Sequence, residues 1–310
     1  MKTTIYYIAA GMLLFTACSN SDDDAPAYAD DALAVHFNVS LGASQTRAEL
    51  TNTGDLLAEG TAVGITRNAG SDYYTYLSDA EGNLTPETSD FIHWTSITER
   101  SVSILAYIPV TEGTTANAFT LPTDQSDGVT PADFATFAGT VSRTTTDAYA
   151  STFNNASFTL LHRLSQVKVI ISEQDEKYAD CTFRMTFYSP SSAVTADYTN
   201  GTATIEGNGK LVRVTPQSGL TDEGKTYATA ILTPGTADAA VAFIELQAVN
   251  AAGAEVGTPM LVLGQPTLES GVSYTFRLKA INDAIDVASV DVTDWQEGAT
   301  LTADIEASLK

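Results

Sequence analysis

The side chains able to do chemistry on something else are few. His36, His93 and His162 are the three histidines, and each sits where a structural or surface role suffices: His36 on the polar face of an alternating stretch, His93 beside Trp94, His162 inside an apolar run. No G-x-S-x-G, H-E-x-x-H, P-loop or Gly-rich dinucleotide fingerprint accompanies them. Asp79-Ala80-Glu81-Gly82-Asn83 has the outline of a calcium loop, but its glycine is misplaced and no closing glutamate follows, so it reads as a turn. The two cysteines lack zinc-type spacing, and Cys181, next to Phe183, Met185 and Phe187, reads as a buried or half-buried free thiol. The expectation is therefore a protein that is not an enzyme and takes no cofactor and no metal. What stands out instead is chemistry done to the chain itself: acylation at Cys18 and peptide cleavage between Arg47 and Ala48.

Lys2 precedes an apolar stretch, residues 5–17, of about the length of a signal-peptide core and too short to span a bilayer. It ends in Leu14-Phe15-Thr16-Ala17-Cys18, which resembles a bacterial lipobox, with Phe15 where the strictest pattern has Leu or Val. Residues 1–17 are thus read as a lipoprotein signal peptide, the alternative being a plain signal peptide cut near Ala17. Residues 18–31, with Ser21-Asp22-Asp23-Asp24, form an acidic linker too polar to order itself.

The cleavage site is positioned by the stretch before it. Leu33, Val35, Phe37, Val39 and Leu41 alternate with Ala34, His36, Asn38 and Ser40, a strict period of two that predicts a half-buried strand. Gly42, Ala43, Ser44 and Gln45 then suit an accessible connection to Thr46-Arg47-Ala48. A first strand tethered through a cleavable loop is a removable part. Burying five apolar side chains at roughly 1.5–3 kcal/mol each gives gross stabilisation on the order of 10 kcal/mol. Its loss would leave an open, adhesive groove that a strand from another subunit can fill. Such a head-to-tail contact generates a filament. Arg67 competes as the cleavage site, although a cut there would also remove Val63 and Ile65. At the other end, Leu301, Ala303, Ile305, Ala307 and Leu309 repeat the alternation, either as a donor strand at residues 300–310 or as an ordinary edge strand.

Between these ends the pattern is short strands separated by turn signals. Strands are expected over residues 63–66, 73–77, 102–108, 119–121, 183–187, 227–232 and 274–278, with residues 241–249 paired to 260–263 across a turn at 250–257. Asn200-Gly201 predicts a hairpin. Pro131 and Asp133 predict a short helix over residues 131–138, and FTLLHRLSQVKVII predicts one long strand over residues 158–171. The polar stretch at residues 144–156 divides the chain, giving domains at 32–155 and 156–310 with sandwich-like strand spacing in each. Tyr74 and Tyr76 share a strand face near Tyr73, Tyr107 and Trp94, forming either a packed inner face or an exposed strip for sugar rings. A formal charge of −23, from 38 acidic and 15 basic residues, excludes nucleic acid and anionic membrane surfaces as natural partners.

The lipobox, the acidic tag, the strand before Thr46-Arg47-Ala48, Phe91-Ile92-His93-Trp94, Ala106-Tyr107-Ile108-Pro109, Leu161-His162-Arg163-Leu164-Ser165 and Val290-Asp291-Val292-Thr293-Asp294-Trp295 occur in an order that resembles the fimbrillin-like surface lipoproteins of Bacteroides-type bacteria. The resemblance spans essentially the whole chain. It implies an all-β protein of two transthyretin-like β-sandwich domains in tandem, acting as a type V pilus subunit in cell adhesion. It further implies acylation at Cys18, export to the outer membrane through that lipid anchor, and maturation by an arginine-specific protease after Arg47. The implied partners are other pilin subunits, joined by strand addition, and a host or bacterial surface receptor. The rival expectation is a surface lipoprotein that binds glycan or host protein and never polymerises.

Overall fold

The structure is a computed structural model that describes residues 33–42, 56–68, 70–146, 148, 150–198, 202–205, 211–222, 225–236, 241–264, 267–282, 284–295 and 300–301. The described chain is all-β, and its first half is one curled sheet. Strands β1 (His36–Gly42), β2 (Ala62–Arg67), β3 (Tyr74–Ser78), β4 (Leu84–Pro86) and β5 (Ser101–Ile108) follow the period-two expectation. In β5, for instance, Val102, Ile104 and Ala106 point inward while Ser101 and Ser103 face water. The 79–83 segment is a turn: the Asp79 carboxylate accepts the amides of Glu81 and Asn83, and Gly82 takes φ +79°.

Two expectations fail here. After the short β6 (Ala118–Thr120), residues 131–138 form no helix. A single 3-10 turn at Thr130–Ala132 is followed directly by β7 (Ala135–Ser142). Thr136, Phe137, Thr140 and Val141 favour a strand, and pairing along the full length of β5 overrides the weak helix-start signal of Pro131. The long strand expected over residues 158–171 is two strands, β8 (Asn155–His162) and β9 (Ser165–Gln174), which belong to different sheets. The chain crosses between them at Arg163-Leu164, with no glycine or proline to mark the crossing. The division expected between residues 155 and 156 falls inside the first sheet, whose order is β1-β8-β7-β5-β2-β3-β4.

The second half comprises β10 (Cys181–Ser189), β11 (Ala193–Asp197), β12 (Thr202–Ile205), β13 (Val212–Val214), β14 (Gln217–Asp222), β15 (Lys225–Leu232), β16 (Ala242–Asn250), β17 (Glu255–Leu263), β18 (Val272–Ile281), β19 (Ala284–Asp294) and β20 (Thr300–Leu301). A four-stranded sheet, β13-β10-β16-β17, and a six-stranded sheet, β14-β15-β9-β18-β19-β20, share one apolar core that includes Phe187, Phe243 and Phe276. The turn between β16 and β17 is tighter than expected, because the Asn250 side chain accepts the amides of Ala252 and Ala254 and lets β17 begin at Glu255. Strand β6 leaves the first half to join β11 and β12 in a three-stranded sheet, so Phe119 and Phe134 stack 5.0 Å apart within the second core. Cys181 is a half-buried free thiol packed against the small cluster of Tyr178 and Met260.

Candidate functional site: the seat of the first strand

Strand β1 lies parallel to β8, with Phe37 opposite Ala156, Val39 opposite Phe158 and Leu41 opposite Leu160. Alternation decides which side chains it buries. Val35, Phe37 and Val39 are 3%, 2% and 0% exposed, Leu33 and Leu41 are half-buried against the same core, and His36 faces outward. The Phe37 ring meets Tyr76 and Phe158 edge-on, with centroids 5.6 and 5.8 Å away. Burial pushes the Tyr76 phenol up to about 12, so its hydroxyl stays protonated while accepting the Ile92 amide at 2.9 Å.

Although β1 ends the strand order, its outer edge is occupied. The Val35 amide donates to Ile92 O, the Trp94 amide donates to Leu33 O, and the Val39 amide donates to Gly82 O at 2.8 Å. Antiparallel bridges join Ala34 to His93 and Asn38 to Asn83. The Asn38 side-chain amide reaches Glu81 O and Asn83 Oδ1. The strand therefore closes the curled sheet, held by β8 on one side and by residues 82–94 on the other. Gly82 makes the approach feasible: a Cβ there would lie 2.5 Å from Val39 O, and its φ of +79° strains any other residue.

The wall formed by residues 91–99 is pinned from outside β1. Arg67 on β2 donates to His93 O and pairs with the Glu99 carboxylate. Arg143, just past β7, donates to Glu99 O, Ser96 O and Asn154 Oδ1, and its guanidinium lies 4.5 Å from the Trp94 ring and 3.9 Å from that of Phe153. Burial, and then the neighbouring charge of Arg100, pull the Arg143 guanidinium below its ordinary value. Asn154 O accepts both the Trp94 indole and the His36 amide. Beside this corner lies a small cleft lined by Leu33, His36, Ile97, Ser151 and Phe153.

Of the residues singled out from the sequence, Leu33, Val35, Phe37, Val39 and Leu41 come together as this insert. Leu301 pairs with Val292 at the edge of the six-stranded sheet. Cys18, Arg47, Ala48, Ala303, Ile305, Ala307 and Leu309 lie outside the described residues. Arg67, the competing cleavage candidate, ends β2 with its backbone paired to Ile104 of β5, and its side chain is 23% exposed and held by His93 O and Glu99. The aromatics are packed and form no exposed strip, but they divide between two cores: Tyr76 and Trp94 are buried in the first with Tyr74 against them, while Tyr107 is buried in the second and Tyr73 packs edge-on against it. Sequence reasoning missed Arg67, Glu99, Arg143 and Asn154 as members of the site. A charged residue flanking a strand in a chain this poor in basic side chains was the signal available.

This geometry defines a class: an all-β protein whose first strand pairs in parallel with β8 and closes a curled sheet that adjoins a β-sandwich. The chain belongs to the fimbrillin-like family, whose family model matches residues 45–295. No curated protein matches the sequence. Among solved structures, a candidate cell adhesion protein from Bacteroides uniformis is similar at TM-score 0.56 and 18% identity, covering 84% of this chain and 99% of that one. A candidate cell adhesion protein from Bacteroides ovatus is similar at TM-score 0.57 and 15% identity, covering 87% and 99%. Identities this low establish a shared fold.

Proposed function

We propose that this protein is a structural subunit of a type V pilus, built from two transthyretin-like sandwiches and serving cell adhesion at the bacterial surface. It reaches the outer membrane as a lipoprotein acylated at Cys18, is cut by an arginine-specific protease between Arg47 and Ala48, and polymerises when another subunit's strand takes the seat of β1. The observation that carries this reading is the separateness of β1. Its partners are β8, residues 92–94 and Gly82, all distant in sequence, whereas β2, the next strand along the chain, lies in the middle of the sheet. Cutting the connection between β1 and β2 frees the insert without interrupting any other strand among the described residues. Loss of β1 then leaves two unpaired edges around an apolar trough, a surface that main-chain bonding and alternate side chains from an incoming strand can satisfy. The tail beginning with β20 continues the alternation of Leu301 and is the donor in this scheme.

The test is to treat purified precursor with an arginine-specific protease, sequence the new N-terminus and run the product on a gel without boiling. The reading expects Ala48 as the first residue and a ladder of oligomers that disappears when residues 300–310 are deleted. A product that starts at Ala48 and stays monomeric refutes polymerisation by exchange and favours the non-polymerising surface lipoprotein.

A further inference from the structure

The seat of β1 has two unlike walls. One is β8, a regular strand. The other, residues 91–99, has no regular secondary structure beyond the bridge at His93, yet its backbone supplies the partners of Leu33 and Val35. We infer that Arg67 and Arg143 act as a clamp that holds this irregular wall in shape when β1 is out, so that an arriving strand meets a preformed seat. The clamp stands on the contacts below; its use in strand exchange rests on the proposed function.

Besides its bonds to Leu33 and Val35, the wall is fixed by contacts from residues outside the first-strand segment. Arg67 ties His93 O and the Glu99 carboxylate to β2. The other Glu99 carboxylate oxygen accepts the Thr95 amide, and the Glu99 amide donates to Ser96 Oγ, which closes the segment on itself. Arg143 grips Glu99 O, Ser96 O and Asn154 Oδ1 at 2.8, 3.1 and 2.6 Å, linking the wall to the start of β8 across the floor of the seat. Its guanidinium lies over both the Trp94 and the Phe153 rings, and the residue is 8% exposed. Charge-assisted bonds of this kind are roughly twice as strong as neutral ones. The planar fork of arginine makes three contacts at once, which a lysine ammonium at this position does not reproduce. By contrast, the Trp94 and Val35 amides bond only across the β1 boundary. A wall that collapsed with each departure would have to be reordered before each arrival, and fixing its backbone again would slow capture.

The experiment is residue-resolved amide exchange by NMR on the full, uncut chain, with Phe37→Ala used to loosen β1. The Val35 and Trp94 amides should exchange about a thousandfold faster in Phe37→Ala than in the native chain. Those of Ile92, Thr95 and Glu99 should keep their native rates. Adding Arg143→Met should bring these three up to the rate of Val35, and Glu99→Gln supplies the same comparison if that double variant does not fold. The inference is overturned if the three wall amides accelerate with Val35 in Phe37→Ala alone, or if neither added substitution moves them. Protected wall amides in a chain that forms no ladder after cutting would uphold the clamp and count against the proposed function.

Discussion

Replacing Phe37 with alanine tests whether β1 holds the first sheet by its apolar face. The ring is 2% exposed and makes two edge-on contacts, with Tyr76 and Phe158, inside a wall of paired strands that has little freedom to close over a void. A buried Phe→Ala change costs about 3–5 kcal/mol, and the loss of two aromatic pairs worth about 0.5–1.5 kcal/mol each places this one in the upper half of that range. Against a typical domain stability of about 5–15 kcal/mol, the sheet should remain folded while β1 opens far more often. The control is Asn38→Ala, one position along on the outward face, which loses two side-chain hydrogen bonds of 3.1 Å and should cost about 0.5–1.5 kcal/mol. Urea unfolding followed by Trp94 fluorescence, reporting from the core that Phe37 enters, measures both. Equal shifts for the two variants would refute the idea that the inward side chains of β1 hold the sheet closed.

Other outcomes follow from the same site. Gly82→Ala should strain the left-handed turn and push the new Cβ against Val39 O, costing about 1–3 kcal/mol and raising the rate at which an arginine-specific protease releases β1. Phe37→Asp should prevent the precursor from folding, since it forces a charge into the trough, and should appear as loss of the native circular-dichroism signal. The Asn83 side-chain amide, followed by the amides of Asn83 and Glu81, holds the Asp79 carboxyl below its ordinary 3.8. A depressed carboxyl contributes stability that is complete above the unfolded value and is lost as pH falls through the lower folded one. Exchange of the Glu81 and Asn83 amides should therefore quicken on acidification below 3.8 beyond the intrinsic rate, and Asp79→Asn should remove that dependence.

The period-two runs told in advance which side chains of β1 and β5 face inward, because a pleated strand alternates its faces whatever it packs against. The turn at Asp79 was equally legible, since its geometry is made within five residues. Failures occurred where neighbours decide. Residues 135–142 are a strand because β5 offers a full-length partner, and the stretch through Arg163-Leu164 is split because its halves are claimed by separate sheets. The clamp was illegible for the same reason: Arg67, Glu99, Arg143 and Asn154 share no period, and contact alone makes them a unit.

The sequence by itself determined the class of fold, the family, the apolar face of the opening strand and the scarcity of catalytic groups, because these depend on local alternation and on composition. Only the tertiary structure decided that β1 runs parallel to β8, that its outer edge is bonded to residues 82–94, and that two arginines hold the far wall. Those arrangements join segments separated by tens of residues, and which segment satisfies a strand's open hydrogen bonds is settled by the competition among all of them when the chain collapses.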